Sequence, residues 1–291
     1  MTEEKNGTFS VISVDERQPD FMLLSKIISE SRGMNRDDAG RIARHAWGFI
    51  GEGLSETAAD ELISLCASNG LKALKAPAAG LPALKPPLYI KKMVFSGGVL
   101  NYADGGSTAG VAEKDDILVV AAAPVKEETS KTVKTTEGPS GQERAIRMGI
   151  MAVTGLPIGL GKTKEVKKEV KSSELAFYMD IVLRTDKTRV GSVSEGCLTN
   201  TSAPARDAKA IALRLTSNDF DFSCLKEKKT YSSQLNFRLL CAELAAFAPR
   251  ALKNAGLSAI LESRPLAPLP YDTLDDLEKE TQRLVILSLR Q

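Results

Sequence analysis

The pattern of apolar and polar positions predicts a small mixed unit at the start of the chain. Residues 8–14 alternate and are rich in β-branched side chains, which is typical of a strand. Asn35 and Ser55 each precede an amphipathic segment and are candidate N-caps, and Gly33 suits a helix C-terminus. The predicted elements are a strand at 8–14, helices at 21–31, 36–46 and 56–68, a short strand or turn at 47–53, and a strand at 71–75.

The rest of the chain is predicted to be rich in strands and to end in helices. Residues 76–87 carry four prolines and one glycine and are predicted to be a linker. Loops are expected at 126–142, where the sequence is polar and low in complexity, and at 162–174, where a short helix is the alternative. Strands are predicted at 88–95, 116–125, 144–155, 175–184, 189–194, 209–217 and 219–225, a turn at 96–98, and helices at 232–248, 250–263 and 273–289.

The fold class expected from this order is α+β, with a three-stranded α/β sandwich domain at 8–75, a Pro/Ala linker at 76–87 and a β-rich domain at 88–291 that ends in helices. In the first domain, segments 26–43 and 51–75 resemble the C-terminal domain of the bacterial large-subunit ribosomal stalk protein. The matching positions are Gly33, Ala39, Gly53, Leu54, Ser55, Ala59 and Gly70.

This resemblance implies the fold more than the activity of that family. The stalk family contacts translation factors through a lysine near the start of its second helix. Asp37 stands at the matching position here, with Asp38 beside it, so the charge is inverted. The resemblance therefore implies a compact docking domain without recruitment of translation factors. Residues 88–291 are similar in element order to a pleckstrin-homology-like barrel, which implies a binding module.

Composition and charge exclude several classes of protein. Lys and Arg number 39 and Asp and Glu number 37, so the net charge of +2 does not indicate a basic or acidic tail protein. The polar first ten residues predict no signal peptide, and the apolar run at 148–161 is shorter than the roughly 20 residues of a membrane-spanning helix. The sequence predicts a cytoplasmic protein without membrane contact.

The side chains that usually carry chemistry are sparse. Cys66, Cys197, Cys224 and Cys241 are far apart and form no paired motif, so we expect buried reduced thiols rather than a metal site or disulfides. His45 is the single histidine, and no nucleophile motif accompanies it. The sequence therefore predicts no catalytic residues, no cofactor and no metal.

Two segments suggest alternatives. The Gly155–Thr163 loop ends in Gly161, Lys162 and Thr163 like a phosphate-binding loop, but Leu156 occupies the position of the first glycine. The second segment, 162–171, contains five lysines that could contact nucleic-acid phosphates. Its lysines are interleaved with glutamates and have no aromatic neighbours for base stacking. A divergent nucleotide-binding protein and a weak nucleic-acid binder remain the alternatives to the main hypothesis.

The main hypothesis is a non-enzymatic adaptor that binds another protein. The second and third helices of the first domain offer a candidate docking face around Arg36, Arg41, Arg44 and Trp47. Arginine and aromatic side chains are enriched at protein interfaces.

Overall fold

The computed structural model describes residues 8–81, 84–106, 109–137, 164–185, 210–266 and 271–290, which form an α+β fold. The chain divides into two compact units, Met1–Val125 with Ala176–Gln291, and Lys126–Leu175. The described helices and the three sheets are given below in the order of the chain.

The first sheet has three antiparallel strands with the order β2-β1-β3. Its elements are β1 (Phe9–Ser13), α1 (Phe21–Arg32), α2 (Arg36–Arg44), β2 (Phe49–Leu54), α3 (Glu56–Ser68) and β3 (Ala73–Pro77). The predicted caps are confirmed. The Asn35 side chain accepts from the Asp38 N–H at 2.8 Å, Ser55 accepts from Ala58, and Gly33 has a φ of 62°.

The second sheet has five strands in the order β11-β8-β9-β10-β4. Its long strands are β8 (Ile117–Glu137), β9 (Lys164–Arg184) and β10 (Ala210–Thr216), and its two-residue edge strands are β4 (Leu88–Tyr89) and β11 (Leu252–Lys253). β9 and β10 are antiparallel, whereas each edge strand is parallel to its neighbour.

A third, antiparallel sheet consists of β5 (Lys92–Ser96), β6 (Val99–Ala103) and β7 (Ala109–Glu113). Gly97 and Gly98 join the first two strands with φ values of 59° and 84°. Positive φ at both central residues is the geometry of a tight hairpin turn, so the turn predicted at 96–98 is confirmed.

Three helices close the chain: α4 (Ser233–Phe247), α5 (Ala255–Leu261) and α6 (Leu274–Ser288). Ser232 and Asn254 cap the first two through their side chains. At the start of the last helix, the Asp276 side chain accepts from the Thr273 N–H at 3.0 Å.

Helix α6 is packed between two sheets. On one side, Ile286 joins Ile12, Phe49 and Ala76 of the three-stranded sheet in one apolar cluster. On the other side, Leu277, Leu284, Val285 and Leu287 pack with residues of the five-stranded sheet. One compact unit therefore runs through the predicted linker at 76–87, because the sheets on both sides of that segment share a helix.

The structure corrects three local predictions. Residues 126–137 and 164–174 belong to β8 and β9 rather than to loops, since each strand satisfies the backbone groups of its neighbour despite a polar sequence. Segment 219–225 is not a strand. It leads into a 3₁₀ helix at Phe222–Lys228, where the Asp221 carboxylate accepts from the Ser223 N–H at 2.9 Å.

Other expectations have no counterpart among the described residues. The strands predicted at 144–155 and 189–194 lie outside them. The pleckstrin-homology-like resemblance stays a prediction. Within the described part of the chain, every helix is too short or too polar to cross a bilayer.

Candidate functional site

A surface groove lies between α1 and α2, and we call it the α1–α2 groove. Its volume is about 760 Å³, and both helices contribute to its walls. The lining side chains are partly apolar and partly charged. They are Phe21, Met22, Leu23, Ser25, Lys26, Arg36, Asp37, Gly40, Arg41 and Arg44.

Each of these helices packs its apolar side chains against the core, which sets its orientation. Helix α1 buries Leu24, Ile27 and Ile28, and α2 buries Ala39 and Ala43 one helical turn apart. The three arginines of α2 are exposed to solvent.

Two serine side chains secure the turn between the helices. Ser29 Oγ donates to the Met34 carbonyl at 2.7 Å, and Ser25 Oγ donates to the Arg36 carbonyl at 3.3 Å. These bonds satisfy backbone carbonyls at the turn and at the start of α2, so the two walls of the groove are held at a fixed separation.

The floor of the groove depends on a glycine within a helix. Gly40 has no side chain, and a Cβ built there would lie 3.5 Å from Phe21 Cζ, so the phenyl ring rests directly over α2. A larger residue at this position would occupy the space that forms the groove.

The apolar part of the groove is open to solvent. Phe21 is 47% exposed and Met22 is 68% exposed. Helical spacing predicts Phe21 on the same face of α1 as Leu24, Ile27 and Ile28, but Phe21 is the first residue of the helix and extends beyond the core. Sequence reasoning did not identify Met22 at all.

Arg36 and Arg41 are the uncompensated cations of the groove. Both are exposed, and neither forms an ion pair with any carboxylate in the described part of the chain. Arg44 lies 3.9 Å from Asp272, and Lys26 lies 3.9 Å from Glu30. The structure therefore brings the three predicted arginines together beside exposed apolar side chains.

A second, smaller cavity flanks the other side of α2. Its volume is about 380 Å³, and Arg41 lines it as well, together with Arg32 and His45. Lys279 and Glu52 meet there in an ion pair at 2.7 Å. Basic groups thus surround α2 on both sides.

Trp47, the fourth predicted docking residue, is not on this surface. Its side chain is fully buried, so the prediction that it contacts a partner is wrong. The indole stacks on Tyr271 with ring centroids 4.4 Å apart, and its N–H donates to Asp276 Oδ1 at 2.7 Å. A sequence does not show that a tryptophan after a surface helix has partners more than 200 positions away.

Asp276 connects the end of α2 to the start of α6. His45 Nδ1 lies 3.0 Å from the same carboxylate oxygen that accepts from Trp47. Burial opposes ionisation of Asp276, but the hydrogen bonds from Trp47 and His45 outweigh it, so its pKa is lowered. The sequence alone shows only that this aspartate falls in the first turn of the helix predicted at 273–289.

A second polar network is enclosed behind Trp47. Tyr271 and Asn254 both donate to Glu280 Oε2, and the Ala255 N–H donates to Oε1 at 3.2 Å. Burial raises the pKa of Glu280. These groups are closed to solvent, so their role in the described structure is to fix α5 against α6.

A buried ion pair connects two neighbouring strands. Arg214 on β10 lies opposite Asp180 on β9 and donates to both of its carboxylate oxygens at 2.7 Å. Arg214 also donates to Glu278 on α6 at 2.8 Å. Burial opposes the charge on Arg214, but these carboxylates outweigh burial and raise its pKa. The pair positions α6 on the sheet and offers no accessible charge.

The cysteines have the properties of core residues. Burial raises the pKa of Cys66 and of Cys224 to about 11 and that of Cys241 further still, so these thiols stay protonated at neutral pH. Cys197 lies outside the described residues. In the described part of the chain, no three metal-binding side chains gather into a potential site.

The two alternative segments are not placed by the structure. The Gly155–Thr163 loop lies outside the described residues. The lysine cluster at 162–171 is described from Lys164 onward as part of β9, and its side chains lie outside the description.

The comparisons with known proteins leave the geometry as the guide to function, since no family model, curated protein or solved structure matches this chain.

Proposed function

We propose that this chain is a protein-binding adaptor without catalytic activity of its own, and that the α1–α2 groove is its docking site. The observation that supports this proposal is the position of two exposed apolar side chains, Phe21 and Met22, beside two unpaired arginines, Arg36 and Arg41. Exposed apolar surface rimmed by charge is typical of an interaction site.

The chemistry of the groove selects the partner. Four cationic side chains and one carboxylate, Asp37, line it, so it favours a negatively charged ligand. Phe21 and Met22 favour a ligand that also buries apolar side chains, and methionine adapts its shape to such partners. An acidic segment of a protein with one or two apolar anchors satisfies both requirements.

A nucleic acid satisfies only the charge. Its phosphates would contact the arginines, but the groove offers a partly covered Phe21 and a methionine where a nucleic-acid surface would offer several aromatic faces for stacking. The apolar contribution is the reason for preferring a protein. Full burial of a Phe or Met side chain is favourable by about 1.5–3 kcal/mol relative to exposure to water. Phe21 and Met22 are still partly exposed, so a protein partner that covers them would gain part of this free energy.

A peptide-display selection on the full chain tests this docking site. The probe is a library of random 16-residue peptides, and the enriched sequences should be acidic and carry apolar residues. Two variants should abolish their binding: Gly40→Leu, which fills the groove, and the double variant Arg36→Glu/Arg41→Glu, which reverses its free charge. Loss of one charged contact alone weakens binding by about tenfold.

The matched control is Arg238→Glu, which reverses an exposed arginine on α4 away from the groove. It should leave peptide binding unchanged, and thermal unfolding should show that all variants remain folded. Enrichment of peptides that bind Gly40→Leu as well as the parent chain would contradict the proposed site. Tighter binding of a DNA or RNA duplex than of any selected peptide would contradict a protein partner.

A further inference from the structure

A third cavity, separate from the α1–α2 groove and from the smaller cavity beside α2, lies between the loop after β1, strand β11 and helix α5. Its volume is about 630 Å³, within the usual range of small-molecule sites. Its walls include four cationic side chains, Arg17, Arg250, Lys253 and Arg264, and two carboxylates. We propose that this cavity binds a small ligand that carries a phosphate group.

The balance of charge in the cavity favours an anion. Arg264 is neutralised by Glu262, which lies 2.8 Å away. Among the described residues, Lys253 Nζ donates only to the carbonyls of Pro249 and Ala251, at 3.4 and 3.3 Å. Carbonyl groups carry no net charge, so they leave the ammonium charge of Lys253 uncompensated.

The other two cations are also free or weakly paired. Arg17 has no ion pair with a described carboxylate, and Arg250 reaches only Asp115, at 4.0 Å and in exposed positions on both sides. Such exposed pairs contribute little. With Glu16 as the remaining carboxylate of the lining, the surplus is close to the charge of about −1.5 to −2 on a phosphate monoester.

The walls of the cavity are held in place by buried side chains. Arg283, which is fully buried, donates to the backbone carbonyls of Asp15 and Glu16 and so fixes the loop that carries Arg17. On the opposite wall, Lys253 pairs with Val120 in the five-stranded sheet. A site whose backbone is already in place loses less conformational entropy when it binds a ligand.

The uncharged part of the lining matches a small organic phosphate. Gln18 and Ser258 offer hydrogen-bonding side chains, and Pro249 and Leu252 offer apolar surface. Arginine binds phosphate oxygens in a bidentate manner, and lysine acts as a point charge. The cavity therefore offers recognition of the phosphate together with contacts for the group that it is attached to.

Calorimetric titration of the full chain at low ionic strength tests the proposal. The probes are glycerol 3-phosphate and inorganic pyrophosphate, with a short single-stranded DNA as the third arm. We expect saturable binding of at least one small phosphate with one site per chain. Arg17→Gln and Lys253→Gln should each weaken it about tenfold, the effect expected for loss of one charged hydrogen bond.

Arg238→Gln is the control, because Arg238 is exposed on α4 and does not line the cavity. Binding to this variant should equal binding to the parent chain. Absence of binding for both small phosphates at millimolar concentration would overturn the proposal, as would equal weakening in all three variants. If only the DNA binds and Arg17→Gln and Lys253→Gln weaken it, the ligand is a nucleic acid and the small-molecule proposal is overturned.

Discussion

Trp47 stacks face to face on Tyr271, with ring centroids 4.4 Å apart and an angle of 15° between the ring planes. Trp47 follows α2, and Tyr271 stands three residues before the start of α6. The φ of Trp47 is 50°, a backbone conformation that non-glycine residues rarely adopt, so its many contacts hold it there. This stack attaches the first three helices to the last helix of the chain.

Segment 8–75 should therefore unfold together with the C-terminal helices. Cys66 on α3 and Cys241 on α4 are both fully buried, each in a different apolar cluster. We expect both thiols to become reactive at the same urea concentration as the fluorescence change of Trp47, the single tryptophan. Site-resolved thiol labelling with mass spectrometry measures this. Labelling of Cys66 at a lower urea concentration than Cys241 would instead show that segment 8–75 unfolds independently.

The Asp276 carboxylate should make stability depend on pH in the acid range. Its pKa in the folded chain is below the ordinary 3.8. A group with a lowered folded pKa stabilises the fold above its unfolded pKa, and this contribution is lost as the pH falls. Asp276→Asn places an amide N–H₂ against N–H donors, so we expect a loss of about 1–3 kcal/mol at neutral pH.

Urea unfolding at two pH values measures this contribution. The difference between the parent chain and Asp276→Asn should shrink as the pH falls below 3.8, the ordinary pKa of aspartate, because the folded chain then begins to protonate Asp276 as well. Asp275→Asn is the control, because Asp275 is the exposed neighbour in the same first helical turn. A constant difference across the pH range would show that packing alone determines the effect of Asp276→Asn.

The local signals in the sequence predicted local structure well. The N-caps at Asn35 and Ser55 are confirmed, because the side chain of a cap and the backbone group that it binds lie within a few residues of each other. Strand pairing across a long sequence separation has no such signal. The polar strand segments 126–137 and 164–174 were therefore interpreted as loops.

In the candidate site, too, the sequence predicts local features but not contacts between distant parts of the chain. The exposed arginines of α2 could be predicted, since charged side chains are almost never fully buried without a partner. Trp47 was misassigned, because its burial depends on Tyr271 and Asp276 at the other end of the chain. Gly40 was the signal that could have revealed the groove, since a glycine inside a helix lowers its stability and needs a reason.

The Asp180–Arg214 pair should be strongly coupled. Both side chains are about 2% exposed, so removal of one partner leaves a buried charge without compensation. We expect Arg214→Met to cost about 3–5 kcal/mol, whereas Asp180→Leu/Arg214→Met should cost less than that single change. Urea unfolding of both single variants and the double variant measures the coupling. Additive effects would show that the pair contributes no more than two independent contacts.

Two glycine-to-alanine changes in helices should have opposite effects on stability. A Cβ at Gly256 would overlap the Ala122 carbonyl oxygen, which belongs to a central strand and cannot move aside. A Cβ at Gly40 would make ordinary contacts, 3.5 Å from Phe21 Cζ and 3.7 Å from Ser25 Oγ. Gly256→Ala should therefore destabilise the chain by about 3 kcal/mol, and Gly40→Ala should stabilise it by up to about 1 kcal/mol.

Thermal unfolding of the two variants beside the parent chain measures this contrast. Both changes add one methyl group to a helix, so the higher helix propensity of alanine stabilises both variants equally. The difference in stability between the two variants therefore measures how much space each site has for the methyl group. Destabilisation by Gly40→Ala would mean that the Phe21 ring packs more tightly on α2 than a distance of 3.5 Å implies. The groove floor would then be a closed contact, and Gly40→Leu would no longer serve as a steric block that leaves the fold intact.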